Sequence, residues 1–126
     1  MDENEIGTTI VDRAVYLHKT LGSGLLETVY EVALARQLEK TGLQVRRQVA
    51  VPIEFEGETF EEGFRADLIV EEKVIVELKS VEKVHPAHKK QLLTYLRLTN
   101  NKLGYLLNFG EALMKNGITR TINGYL

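Results

Sequence analysis

The sequence predicts an α/β domain in which one mixed β-sheet is flanked by α-helices. Three observations support this fold class: apolar residues at helical spacing over residues 1–41, strand-like alternation over residues 43–79, and a helix followed by two strands after residue 85. The chain has 126 residues, of which 44% are hydrophobic and 27% charged. This length and composition are typical of one globular domain, so residues 1–126 are expected to form a single core.

Two amphipathic helices are predicted at the beginning of the chain. The first occupies about the first twenty residues and ends at Gly22-Ser23-Gly24. The second runs from about Leu25 to Thr41, with Ser23 as its N-cap and Gly42 at its end. The inner side of the first helix is predicted to contain Ile6, Ile10, Ala14, Leu17 and Leu21, and that of the second Leu26, Val29, Tyr30, Ala33, Leu34 and Leu38.

The middle of the chain is predicted to form β-strands. Apolar residues alternate with polar ones between Leu43 and Val70, and Glu56-Gly57-Glu58 is typical of a hairpin turn. Pro52 cannot donate a backbone hydrogen bond, so its strand is expected at an edge of the sheet.

A third helix and two strands complete the predicted fold. Pro86 is expected at the first helical position, and Asn100-Asn101 closes the helix after about Thr99. Apolar strands follow over residues 103–109 and 118–122. The helix is expected to bury Leu92, Leu93 and Leu96.

The most informative segment extends from Phe64 to Lys79. Two alternating runs are joined by Glu71-Glu72-Lys73, which predicts a second hairpin. If the strands pair across this three-residue turn, Asp67 and Glu77 leave the same face of the sheet, whereas a two-residue turn would send them to opposite faces. The expected pairs are Val70 with Val74, Ile69 with Ile75, Asp67 with Glu77 and Arg65 with Lys79.

Two carboxylates opposite each other on a sheet repel, by up to roughly 1 kcal/mol at a surface, unless a cation lies between them. One hypothesis places a divalent ion there, because Mg²⁺ prefers oxygen ligands. The other hypothesis uses Arg65 and Lys79 as a neutralising network, and the hairpin alone supports the two equally.

Composition excludes several kinds of site. The chain contains no cysteine, which excludes disulfides, thiolate zinc sites and cysteine nucleophiles and agrees with a cytoplasmic location. Its first residues are acidic where a secretory signal is basic, and no apolar run reaches the roughly 20 residues of a membrane span. A net charge of −2 argues against binding nucleic acid by bulk charge, so any such binding is expected to be local. Acidic residues crowd Glu54–Glu62, and basic residues crowd Lys83–Lys90.

Several short motifs, in this order, resemble those of the PD-(D/E)XK nuclease superfamily. Asp67 and Glu77-Leu78-Lys79 resemble its central motif, although Ala66 stands where the superfamily's name has proline. Gly24-Leu25-Leu26-Glu27-Thr28-Val29-Tyr30 resembles the signature of the GxxExxY family, and Gln91-Leu92-Leu93-Thr94-Tyr95 resembles the QxxxY motif of the RecB-like branch. The resemblance covers most of the chain and implies a restriction-endonuclease-like core.

The resemblance also implies catalytic roles for Glu27, Asp67, Glu77 and Lys79. The three carboxylates would hold Mg²⁺, with Mn²⁺ as a substitute, and Lys79 would orient or deprotonate a water and offset developing negative charge. From its position alone, Glu27 needs no such role, because a glutamate in the first helical turn complements the helix dipole by about 0.3–1 kcal/mol.

Four further side chains are predicted to position the substrate. Gln91 and Tyr95 lie four residues apart on one helical face, with His88 one turn earlier, so all three can point toward the hairpin. An ordinary amphipathic helix edge gives the same pattern. Tyr30 is expected in a supporting role, with its ring packed and its hydroxyl bonded to a nearby polar group.

Three functional hypotheses follow. The first is a Mg²⁺-dependent nuclease that hydrolyses phosphodiester bonds of nucleic acid, with DNA as the expected partner. The second is a catalytically weak or inactive module that binds nucleic acid or protein on the same fold, and the third is a structural homodimer. Metal affinity separates the first from the third, and salt-dependent binding without cleavage would identify the second.

Overall fold

The computed structural model describes residues 1–126 and contains a five-stranded mixed sheet with α-helices on both faces, which confirms the predicted fold class. The strands lie in the order β1-β2-β3-β4-β5, and only β3 and β4 are parallel. None of the helices combines the length and apolarity that a bilayer crossing requires. The elements are α1 Glu3–Leu21, α2 Glu27–Lys40, β1 Val45–Phe55, β2 Glu58–Val70, β3 Val74–Lys79, α3 Pro86–Thr99, β4 Leu103–Asn108, a 3₁₀ turn Met114–Asn116 and β5 Ile118–Ile122.

Helix α1 begins with a capping box. The Asp2 carboxylate accepts a hydrogen bond from the Glu5 backbone N–H, and the Glu5 side chain accepts one from the Asp2 N–H. The helix ends at Gly22, whose φ of +76° suits a residue without a Cβ. Four of the five predicted inner residues are buried, but Leu21 is 41% exposed because the helix ends there.

Helix α2 begins two residues later than predicted, so the predicted N-cap at Ser23 is wrong. Leu26 occupies the N-cap position without a side-chain hydrogen bond, and it is 76% exposed. Val29 is also exposed, which makes its predicted inner position wrong. The inner stripe follows the i, i+4 spacing of a helix starting at residue 27. Its buried members are Tyr30, Glu31, Leu34, Ala35 and Leu38.

Strands β1 and β2 form a long hairpin at one edge of the sheet. The turn at Glu56-Gly57 is confirmed, and both residues have positive φ, as the tight hairpin turns require. Strand β1 pairs only with β2, so Pro52 lies in an edge strand as predicted.

Each face of the sheet has its own hydrophobic core. Helices α1 and α2 cover one face, and we call the cluster beneath them the first core, which includes Leu68, Val70 and Val76. Helix α3 covers the other face, and the second core beneath it includes Ala66 and Ile69. Helix α3 starts at Pro86 and ends at Asn100 as predicted; it buries Leu92 and Leu96 fully and Leu93 partly.

Candidate active site

The hairpin between β2 and β3 has the predicted three-residue turn. The observed pairs are Val70 with Val74, Ile69 with Ile75 and Leu68 with Val76. These six residues are all at most 5% exposed, so apolar burial on both faces fixes the register. The alternative two-residue turn is therefore excluded.

Beyond the rung formed by Leu68 and Val76, side chains replace backbone pairing. The Asp67 backbone N–H donates to Glu77 Oε2 at 2.9 Å, and the Leu78 N–H donates to Asp67 Oδ2, also at 2.9 Å. Asp67 and Glu77 are therefore neighbours, as predicted. They are linked by these two hydrogen bonds between backbone and side chain, and not by a backbone rung. Because regular pairing stops before this point, the predicted pair of Arg65 and Lys79 does not form.

No basic side chain forms an ion pair with either carboxylate. Arg65 instead binds Glu62 at 2.8 Å and donates to the Gln48 carbonyl at 3.0 Å, while Lys79 forms no ion pair. The hypothesis that an Arg65–Lys79 network neutralises the pair is therefore wrong.

Burial and the neighbouring charge of Asp67 raise the pKa of Glu77 from its ordinary 4.5 to about 8, and Lys79 only partly opposes this shift. Without a bound cation, Glu77 therefore retains a proton near neutral pH.

Lys79 lies at the carboxyl end of β3, where a buried asparagine holds the chain. Asn108 accepts from the Val81 N–H at 3.1 Å, donates to the Val81 carbonyl at 2.9 Å and accepts from the Gly110 N–H. The Phe109 N–H also donates to the Lys79 carbonyl at 2.8 Å. The chain is thus held at the Lys79 carbonyl and again at Val81, two residues later.

A sequence profile described as the PD-(D/E)XK nuclease superfamily matches residues 4–121, almost the whole chain. The chain belongs to the PD-(D/E)XK nuclease superfamily. Its mixed sheet flanked by helices agrees with the restriction-endonuclease-like fold of that superfamily. The comparison with curated proteins gave no match.

Members of the PD-(D/E)XK superfamily generally use divalent metals and act on nucleic acid, and the donor atoms here fit such an ion. Asp67 and Glu77 offer hard oxygen ligands beside each other, and their carboxylate oxygens retain free lone pairs after the hydrogen bonds above. No group of three Asp, Glu or His side chains lies close enough to hold a metal together. Glu27, the exposed first residue of α2, is not grouped with Asp67 and Glu77 here, and its predicted role as a third ligand stays a prediction.

The loop before Glu27 is fixed by Tyr30. The Tyr30 hydroxyl donates to the Gly22 carbonyl at 2.6 Å and accepts from the Leu25 N–H at 3.1 Å. Ser80 donates to the Leu25 carbonyl at 2.7 Å, which ties this loop to the residue after Lys79. Tyr30 is fully buried and stacks on Phe109, so its supporting role is structural, as expected, and it offers no surface to a substrate.

Helix α3 places two of its predicted residues beside the hairpin. Tyr95 stacks on Phe64 at 3.8 Å between ring centroids, and its pKa is raised by burial and by the charges of Glu77 and Asp67. The pKa of His88 is lowered by desolvation and then by nearby Lys79 and His85.

His88 Nδ1 is buried without a hydrogen-bond partner in the protein, whereas Gln91 is exposed. Helix α3 therefore places His88 near the Lys79 side of the site and Tyr95 near both carboxylates.

Sequence reasoning missed three linked residues, of which Gln48 contacts the site directly. Gln48 Nε2 donates to Asp67 Oδ1 at 3.2 Å and to Glu31 Oε1 at 2.7 Å. Arg47 forms an ion pair with the same Glu31 at 2.9 Å. Of the three, only Glu31 could have been found from the sequence, because it falls on the inner stripe of a helix that starts at Glu27.

Proposed function

We propose that this chain is a Mg²⁺-dependent nuclease that hydrolyses phosphodiester bonds of nucleic acid, with DNA as the preferred substrate. One observation carries the proposal: Asp67 and Glu77 lie beside each other without a basic ion-pair partner, and Lys79 follows on the same strand. Membership in a nuclease superfamily supports the same chemistry.

Each of these residues has a distinct task. Asp67 and Glu77 would hold the metal, which supplies charge neutralisation on the phosphate and an activated water. Glu77 must release its proton to do so, because a carboxylate binds a cation in its ionised form. The positive charge of Lys79 lowers the pKa of Glu77 and so favours its ionised form. Lys79 would also orient the attacking water and offset the charge that develops on the phosphate.

The substrate would lie between the hairpin and the beginning of α3. His88 lies near Lys79, so its partly exposed imidazole would contact a phosphate oxygen there. Gln91, exposed on the same helix, and Tyr95 would contact the nucleotide next to it. The negative charge of Glu27 raises the pKa of His88 and so opposes the other effects on that imidazole. We therefore assign Glu27 the role of orienting the His88 imidazole or a bound water, and not of ligating the metal directly.

Within the superfamily, we assign the chain to the GxxExxY family and its RecB-like relatives. The geometry explains the motif: Gly24 has φ of +99°, and Tyr30 holds the loop that presents Glu27. A cysteine-free chain with this activity suits the cytoplasm, where nucleic acid is available.

The test is cleavage of labelled single- and double-stranded DNA and RNA in Mg²⁺ or Mn²⁺. Asp67→Ala and Lys79→Ala should abolish cutting, while Lys40→Ala, an exposed lysine at the end of α2, serves as the matched control. Cutting that needs metal and is lost only in the two site variants supports the proposal. Salt-dependent binding without cutting in the wild type would identify a binding module instead.

A further inference from the structure

The rung between Gln48 and Asp67 is missing from a part of the β1–β2 pair, Val45 with Val70 to Val51 with Phe64, that otherwise keeps one register. Strands β1 and β2 pair on both sides of it, through Arg47 with Leu68 and through Val49 with Ala66. Gln48 itself has φ of +49°, the left-handed region that a glutamine side chain disfavours. Both strands are therefore irregular at the same point.

The direction of the side chains also changes at this rung. On β2, Leu68 belongs to the first core, whereas Ala66, two residues away, belongs to the second. On β1, Val45 packs against the first core and Val49 against the second. In a regular strand, residues separated by two or four positions face the same side. The side chains of both strands therefore change from one face of the sheet to the other at the rung of Gln48 and Asp67.

The polar contacts at this point form a chain from the ion pair of exposed Arg47 with buried Glu31 to Asp67. Glu31 is 5% exposed and accepts from Arg47 on Oε2 and from Gln48 on Oε1. Glu31 and Asp67 only accept when ionised, so the amide nitrogen of Gln48 must face both of them. The ion pair therefore sets the orientation of the Gln48 amide.

Asp67 is consequently held from both neighbouring strands. The Leu78 N–H of β3 fixes Oδ2, and the Gln48 side chain of β1 fixes Oδ1. Neither contact uses all the lone pairs of its oxygen. The carboxylate keeps one orientation and can still accept a cation.

We propose that Gln48 is a positioning residue that orients Asp67 for metal binding, with Glu31 and Arg47 as its anchor. This inference rests on the proposed function. Residues that hydrogen-bond to metal ligands commonly change metal affinity or activity 10- to 100-fold when they are replaced.

Two substitutions separate this role from a purely structural one. Gln48→Gly suits the positive φ and removes the amide, and Gln48→Asn tolerates the same backbone with an amide too short for both partners. Gln44→Gly, an exposed glutamine just before β1, is the matched control. Melting temperature in the absence of metal and Mn²⁺ affinity by titration are measured for each, together with the Mg²⁺ concentration that gives half-maximal cleavage.

We expect Gln48→Gly to melt at or above the wild-type temperature while its Mn²⁺ affinity falls about tenfold. Its half-maximal Mg²⁺ concentration should rise by a similar factor, and Gln48→Asn should shift in the same direction. Wild-type Mn²⁺ affinity in both variants would overturn the inference while leaving the nuclease proposal intact. If the wild-type protein itself binds no Mn²⁺ and does not cut, both proposals fail, and that failure is visible before any variant is compared.

Discussion

The two ends of the hairpin between β2 and β3 are built differently. At the turn end, three rungs of apolar side chains are at most 5% exposed and pair through the backbone. At the other end, the Glu77 carboxylate accepts from the Asp67 N–H, the Asp67 carboxylate accepts from the Leu78 N–H, and no basic residue forms an ion pair with either. Apolar burial thus stabilises the turn end, while the opposite end holds two carboxylates that repel each other and that carry the proposed chemistry.

This contrast explains how a small domain can tolerate such a pair. The turn end fixes the register, so the carboxylates cannot move apart by strand slippage. The hydrogen bonds from the Asp67 and Leu78 N–H groups then hold the carboxylates in place, while burial and the charge of Asp67 raise the pKa of Glu77. We expect stability to depend mainly on the turn end and activity mainly on the other.

The largest effect on stability should come from Ile75→Ala. Ile75 is fully buried in the second core, so its truncation leaves a cavity and should cost about 3–4 kcal/mol in the free energy of unfolding. Urea denaturation measures this value. Ile53→Ala, on the half-exposed part of the β1–β2 hairpin, is the control and should cost less than half as much. Equal losses would show that the turn end does not dominate stability.

The second effect is a dependence of stability on pH in the metal-free protein. The pKa of Glu77 is higher in the folded state, about 8 against 4.5, so the folded state binds more protons between these values. Stability should be fully present below about pH 4.5 and fall as the pH rises to 8, by up to about 1.4 kcal/mol per pH unit. Denaturation at a series of pH values measures it.

Glu77→Gln is the matched variant for this measurement, because it keeps the shape and cannot titrate. The lowered pKa of His88 acts in the opposite direction, since it makes stability rise with pH below about 6.5. The difference between wild type and Glu77→Gln therefore isolates Glu77. A difference that does not change between pH 5 and 8 would contradict the raised pKa.

A third, smaller effect should follow from Gly110→Ala. A Cβ at residue 110 would overlap the backbone of Val81, so the segment after Lys79 must shift. Such overpacking typically costs about 1–3 kcal/mol. Thermal or urea unfolding measures the loss, and Gly124→Ala, where a Cβ meets open space, controls for the removal of a glycine, although its positive φ adds a cost of its own. Stability unchanged in Gly110→Ala would show that the contacts of Asn108 do not fix this segment.

The periodicity of the sequence was enough to predict the sheet, the three helices and the register of the central hairpin. These features depend on local alternation and on turn residues such as Glu56-Gly57 and Pro86, whose effects do not require distant contacts. Tyr30, Leu34 and Leu38 of α2 are buried as predicted. Leu26 and Val29 were placed on the inner stripe incorrectly, because the loop held by Tyr30 delays the helix start to Glu27. The neighbourhood of Asp67 and Glu77 was predicted, but their reciprocal bonds were not.

The residues around Asp67 could not be predicted for a physical reason. Gln48 is 19 positions from Asp67 and 17 from Glu31, and no spacing rule connects a left-handed residue in one strand to a buried glutamate on a helix. Asn108 is 27 positions from Val81, which it holds just after Lys79. Such contacts depend on how the elements pack and not on their own patterns.

The smallest expected effect is that of Arg65→Ala, which tests whether the carboxylate end lacks a basic partner. The ion pair of Arg65 with Glu62 is about half exposed on both sides, so its loss should change the free energy of unfolding by less than about 1 kcal/mol. More decisive is the pH dependence described for Glu77, which should keep the wild-type slope in Arg65→Ala because Arg65 does not neutralise that carboxylate. A steeper fall of stability between pH 5 and 8 would mean that Arg65 does compensate the pair in solution. In that case the apolar and acidic ends of the hairpin would differ less than the contacts indicate, and the need for a bound cation would be weaker.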